Sequence, residues 1–265
     1  MSTARYFIDT HCHFDFPPFA DDAAASVARA ADQHVRQIIV PAVTADRFDR
    51  VLALANQHDA LFAALGLHPL FIQQHDDAAL SRLAQSLKQP HPKVVAIGEV
   101  GLDLYMENPH FERQKALLVD QLSLAKQANL PVILHSRRTH DQLFSLLRKQ
   151  ALPATGVVHG FAGSLAQAQA FVKLGYAIGV GGTITYERAQ KTRNTIAALP
   201  LSCLLLETDA PDMPLAGYQG QPNRPERAAL VFEVLCQLRP EPPETLAAAL
   251  NANTRRVFNL PLLPG

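Results

Sequence analysis

The sequence predicts an α/β fold in one domain spanning residues 1–265, with eight strand–helix units closed into a barrel. Three observations predict it. Short apolar or β-branched runs recur eight times, at residues 6–10, 37–41, 61–66, 94–99, 131–135, 156–159, 176–180 and 204–208, with helical periodicity between them. Several runs, such as Gln37-Ile38-Ile39-Val40, are apolar at consecutive positions, as strands covered on both faces are. Eight βα units in 265 residues match a TIM (β/α)8 barrel, typically ~250 residues long, better than an open doubly wound sheet. No Gly-x-Gly-x-x-Gly follows the first run, which further disfavours a dinucleotide-binding fold.

The elements follow in order. The first run begins almost at once, and the residues before it, Met1-Ser-Thr-Ala-Arg5, leave no room for a cleavable signal peptide. It leads into His11-Cys12-His13, and the third run is followed by His68. The fourth ends at Glu99, and the helix after it carries Phe111, Leu118, Leu122 and Ala125 on one face. The fifth closes on His135, the sixth on His159, and the eighth on Asp209. Pro240-Glu-Pro-Pro243 reads as a turn between two C-terminal helices, not as a domain boundary.

Lys plus Arg number 24, as do Asp plus Glu, which excludes a polycationic nucleic-acid coat protein. With 48% hydrophobic and 18% charged residues the chain is not disordered. Residues 150–172 form the longest stretch without charge, but Pro153, His159, Gln167 and Gln169 exclude a membrane span. Cys12, Cys203 and Cys236 form no Cys-x-x-Cys pair, so reduced thiols and a cytoplasmic location are expected. Nothing in the sequence calls for an obligate protein partner.

A parallel barrel carries its chemistry at the C-terminal ends of its strands. Of 11 histidines, His11, His13, His68, His135 and His159 fall there. Strand side chains alternate, so His11 and His13 point the same way and can grip one cation while Cys12 packs behind. Glu99 lies between Gly98 and Gly101 in an apolar run, where a carboxylate with close-approach space can bridge two cations. His135 and His159 supply a second, nitrogen-rich half-site. Asp209 is a metal ligand or proton acceptor, or else caps the next helix. Asp9 shares the face of His11 and His13 and either supports them or packs at the barrel end. Four imidazoles and two carboxylates suit Zn, Mn or a similar cation. They exceed what one tetrahedral ion needs, so two ions are expected. Two-metal sites hydrolyse esters through an activated water.

These residues sit in motifs that resemble the TatD family of metal-dependent hydrolases and deoxyribonucleases, within the amidohydrolase superfamily. The resemblance runs through Asp9-Thr-His-Cys-His-Phe14, Gly66-Leu-His-Pro69, Ile97-Gly-Glu-Val-Gly-Leu-Asp103, Pro131-Val-Ile-Leu-His-Ser-Arg137, Gly181-Gly-Thr-Ile-Thr185 and Leu206-Glu-Thr-Asp-Ala-Pro211. Asn223-Arg-Pro-Glu226 and the length point to its YjjV-like branch. The resemblance implies a TIM-barrel hydrolase with two divalent cations (Zn, Mn or Mg). His11, His13 and Asp209 would hold the first, His135 and His159 the second, and Glu99 would bridge them. Asp209 and Glu99 would be catalytic, and His68, Glu207 and Arg137 would bind substrate, with Arg137 reaching a phosphate. The family commonly shows His-Cys-Phe-Ser-Gly where this chain has His159-Gly-Phe-Ala-Gly163, and Asp where it has Arg138; both bear on substrate preference.

The leading expectation is a phosphodiesterase or deoxyribonuclease acting on DNA strand ends through a metal-bound hydroxide. The alternative keeps the site and changes the substrate to a small phosphoester, amide or aminoacyl ester. A third reading is a catalytically silent metal-stabilised binding protein. The balanced charge favours a substrate recruited at the metals over a duplex gripped by lysines.

Overall fold

A computed structural model describes residues 5–263. The reading of Met1–Ala4 as too short for a leader lies outside the described residues. Among those residues the expected barrel is present, as β1 (Phe7–Asp9), α1 (Ala23–Asp32), β2 (Val35–Pro41), α2 (Phe48–Gln57), β3 (Leu61–Leu65), α3 (Asp77–Ser86), β4 (Val94–Asp103), α4 (Phe111–Ala128), β5 (Val132–Arg137), α5 (His140–Gln150), β6 (Gly156–Val158), α6 (Leu165–Lys173), β7 (Ala177–Val180), α7 (Gln190–Ala198), β8 (Leu204–Leu206), α8 (Ala228–Leu238) and α9 (Pro243–Phe258). Each strand pairs in parallel with the next. The seam between β8 and β1 is closed by the Thr10 amide donating to the Leu206 carbonyl at 3.0 Å and by a bridge between Cys12 and Ala210.

Alternation along each strand separates two apolar layers. Ile38 and Val40 face the surrounding helices, while Ile39 joins Ile8, Ala96, Ile133, Val157 and Leu205 inside the barrel. Phe258 and Leu260, at and beyond the end of α9, join that inner cluster. Filling the interior this way leaves a packed core rather than a pore. On α4, Leu118, Leu122 and Ala125 are buried as the periodicity requires. Residues 240–242 form the expected turn between α8 and α9, and Pro243 opens α9.

The fourth strand departs from expectation. It runs four residues past Glu99, so Glu99 lies mid-strand rather than at the strand's end, and β5 likewise runs two residues past His135, which was expected to close it. The pairing with β5 shifts register between Ile97 and Val100 and then continues to Asp103 opposite Arg137. Gly101 makes this possible: at φ +149° a side chain there would strike the His135 backbone. β4 and β5 therefore rise together above the rim.

No helix among the described residues is long and apolar enough to cross a membrane. Cys12, Cys203 and Cys236 are free thiols, as expected.

Candidate metal centre

Four strands and the closing seam bring the predicted ligands to one point. His11 and His13 follow β1 in an extended segment held by the Cys12–Ala210 bridge, and Cys12 is fully buried behind them. Across the seam the Asp209 amide donates to the His11 carbonyl, and the His13 amide to the Ala210 carbonyl, each at 2.8 Å. Asp9 locks this corner. Its carboxylate accepts from the amides of His11 (3.2 Å) and Thr208 (3.0 Å) and from the Thr208 hydroxyl (2.6 Å). Asp9 thus braces the backbone at His11 and Thr208. Asp209 takes a left-handed φ of +59° and caps no helix, since the next, α8, begins at Ala228. The buried Asn223 side chain donates to the carbonyls of Thr208 and Met213, holding the loop that carries Asp209.

Glu99, 1% exposed, sits at the centre, and its two oxygens face different partners. Oε2 lies 3.1 Å from His11 Nε2 and 3.2 Å from His13 Nε2, while Asp209 Oδ1 lies 3.4 and 3.5 Å from the same nitrogens. The two nitrogens are 3.3 Å apart. Donors around a tetrahedral ion with ~2.0–2.1 Å bonds stand about 3.3–3.4 Å apart, so these spacings fit one cation. Oε1 lies 2.6 Å from His159 Nε2, 3.0 Å from His68 Nε2 and 3.1 Å from His135 Nδ1.

The outer nitrogens fix which inner ones are free. His135 Nε2 faces Asp103 Oδ2 at 2.7 Å and His13 Nδ1 faces the Pro41 carbonyl at 3.2 Å. Both outer nitrogens donate, which turns the lone pairs of His135 Nδ1 and His13 Nε2 toward Glu99 oxygens. A lone pair against a carboxylate needs a cation between them: a proton, which burial opposes but Asp209 and Glu99 favour on His13 and Asp103 and Glu99 favour on His135, raising both rings above their ordinary value, or a metal ion that takes the proton's place. His68 is the reverse: its Nδ1 accepts from the Leu70 amide at 3.0 Å, so its Nε2 donates to Glu99. The donor set thus fits metal at His13 and His135, and makes His68 a hydrogen-bond donor.

The charges agree with this crowding. Burial alone would raise the Glu99 carboxyl, but His68, His159 and His11 hold it well below the usual carboxylate range. Burial opposes protonation of His159, yet Glu99, Asp209 and Glu207 raise it to about 9. Burial, helped by His159, pushes His11 down to about 4. The Glu207 carboxyl is pushed up to about 7 by burial, with His159 offsetting and Asp209 adding to the rise. Its Oε1 accepts from the Gly160 amide at 2.5 Å and lies 3.8 Å from His159 Nδ1, while Oε2 has no partner among the described residues. Glu207 fits there because β7 offers Gly179, where any side chain would strike the carboxylate.

Three supporting residues escaped the sequence reading. Asp103 orients His135. From α4, the Gln114 side chain bonds both backbone groups of Asp103 (2.8 and 2.9 Å), and Gln121 does the same for Leu67, next to His68 (2.8 and 3.2 Å). A signal for Asp103 was present: Glu99, Gly101 and Asp103 share a strand face at i, i+2 and i+4.

Above the cluster opens a cavity of about 450 Å³ lined by Leu70, Arg137, Ala162, Ile184, Asp212 and Met213 among others. Gly160 and Ala162, the departures after His159, line it too. A larger cleft of about 940 Å³ lies at the other end of the barrel, beside Pro131, Tyr176 and Arg256. It includes none of the predicted site residues, and strand N-terminal ends are where a barrel invests in stability rather than chemistry.

Comparison with known proteins agrees with the motifs. Residues 8–259 match the family model for TatD-related DNases. The metal-dependent hydrolase YjjV of Escherichia coli K12 is 63% identical over 96% of this chain and 98% of its own length. A metal-dependent hydrolase of Haemophilus influenzae is 46% identical over 96% of this chain and all of its own. The crystal structure of E. coli YjjV superposes with a TM-score of 0.95, covering 96% of this chain and 98% of that one. A TatD-family hydrolase from Entamoeba histolytica, 20% identical, shares the fold with a TM-score of 0.84 over 97% of this chain and 99% of that one.

Proposed function

The chain belongs to the TatD-related DNase family, and from that premise we propose that it is a divalent-metal-dependent hydrolase that cleaves phosphodiesters at DNA strand ends. The observation that carries this reading is the split of Glu99, with one oxygen among His11, His13 and Asp209 and the other among His135, His159 and His68. His11, His13 and Asp209 would hold one cation, His135 and His159 a second, and Glu99 would bridge them. When bound, such a pair of ions supplies Lewis-acid charge and activates water for attack on phosphorus. Asp103 keeps His135 in the ligating tautomer. His68 donates to Glu99 and fixes that carboxylate. The Asp209 side chain is 21% exposed against 1% for Glu99, so it is the carboxylate that meets entering water and takes its proton. Burial would raise Asp209, but His13, His11 and His159 hold it below the usual carboxylate range, in the proton-accepting form. Arg137, on the cavity wall, offers a guanidinium to a phosphate oxygen. Three free thiols fit a cytoplasmic location.

The test is degradation of an end-labelled oligonucleotide with Mg²⁺, Mn²⁺ or Zn²⁺, stopped by chelator and lost in Asp209→Asn. The balanced net charge keeps a second reading in view: a small phosphoester, amide or aminoacyl ester. A substrate panel that ranks such esters far above DNA decides for it.

A further inference from the structure

Two adjacent arginines sit over one tyrosine at the rim of the candidate site. The guanidinium carbon of Arg137 lies 3.6 Å from the centroid of the Tyr105 ring, and that of Arg138 lies 4.5 Å from it. Consecutive side chains on a strand point to opposite faces. Here β5 ends at Arg137 and Arg138 takes a left-handed φ of +60°, which brings both side chains to the same ring. The backbone at Tyr105 is itself fixed. Its amide donates to Asp103 Oδ1 at 2.7 Å, and the adjoining Leu104 amide donates to the Arg137 carbonyl at 3.0 Å.

Holding two like charges together is unfavourable unless something answers them. Among the described residues neither guanidinium makes an ion pair or a side-chain hydrogen bond. The neighbouring carboxylate, Asp103, attracts Arg137 through space but spends its hydrogen bonds on His135 and the Tyr105 amide, and it leaves Arg138 unanswered. Tyr105 is 53% exposed and both arginines are exposed, so the stack presents its donors to solvent. Arg137 lies two residues beyond His135, about 6–7 Å further along the strand. That offset suits an anion beside the reacting centre rather than the reacting group itself.

We propose that Arg137 and Arg138, pinned on Tyr105, clamp a second phosphate adjacent to the scissile one. The clamp makes the substrate an oligonucleotide end rather than an isolated small phosphoester, and it rests on the phosphodiesterase reading above. Guanidinium donors match phosphate oxygens in charge and geometry, and prior stacking reduces the freedom each loses on binding.

The test compares the dinucleoside monophosphate TpT with its 5′-phosphorylated and 3′-phosphorylated forms, using metal-loaded protein. The wild type is expected to favour one phosphorylated form by about tenfold or more in kcat/KM, mainly through KM. That preference should shrink toward unity in Arg138→Ala and in Tyr105→Leu. It should survive in Lys149→Ala, which removes an exposed charge at the far end of α5. Equal rates on all three substrates, or a preference that Arg138→Ala retains, overturns the clamp while leaving phosphodiester cleavage intact. No cleavage of any of the three by the wild type removes the phosphodiesterase reading, and the clamp's substrate with it.

Discussion

Asp103 Oδ2 lies 2.7 Å from His135 Nε2, and this contact decides which imidazole nitrogen meets Glu99. With the outer nitrogen donating, the Nδ1 lone pair faces Glu99 Oε1 at 3.1 Å. Asp103 is held in turn by Gln114, so α4 sets the geometry of a ligand on β5. Asp103→Asn is expected to weaken the second metal equivalent by 10–100-fold, since an amide can present either end to the ring. Titration against a chromophoric chelator checks this. Two unchanged affinities would remove Asp103 from metal binding.

Gly179 and Glu207 share a space that admits no methyl group. A Cβ at 179 would lie 2.7 Å from the Glu207 carboxyl carbon, whereas one at Gly181 would lie 3.4 Å from the nearest Glu207 atom. Gly179→Ala is expected to destabilise the fold by about 1–3 kcal/mol, and Gly181→Ala by less than ~0.5 kcal/mol. Urea unfolding of both variants reads the difference. Equal midpoints would show that Glu207 yields freely.

His75 links stability to pH. It is buried, and the ring donates through Nε2 to the His68 carbonyl at 2.8 Å. Burial lowers it from its ordinary value of 6.5, against the pull of that carbonyl. Below about pH 6.5 the unfolded chain therefore binds the proton more readily than the folded one. The stability His75 contributes is complete above 6.5 and is lost as pH falls from there toward its folded value. Between pH ~7.5 and ~5.5 the wild type should lose more of its urea midpoint than His75→Gln, whose amide can still reach the His68 carbonyl. Identical losses would contradict this.

Much of the fold was legible because a parallel barrel repeats one local pattern. Ile38-Ile39-Val40 could be read as a strand covered on both faces because it is one, and all eight runs became strands in chain order. His11, His13, His68, His159 and Asp209 stood out because they follow strand ends, whereas Glu99 and His135, which lie inside longer strands, stood out as polar residues at the close of apolar runs. The supporting residues left weaker traces. Gln121 acts on Leu67 across 54 positions through backbone groups, which carry no sequence label. The extension of β4 to Asp103 depends on pairing with β5 beyond a register shift, a property of two strands together. The Tyr105 stack needs a left-handed arginine, which composition does not announce.

Glu99 is expected to give one oxygen to each of two cation positions. Metal analysis after saturation with Mn²⁺ or Zn²⁺ and removal of excess tests it most directly. Two ions per chain are expected in the wild type and one or fewer in Glu99→Ala, with the far-ultraviolet circular dichroism of the two proteins alike. A single ion in the saturated wild type, or two retained in Glu99→Ala, would contradict it.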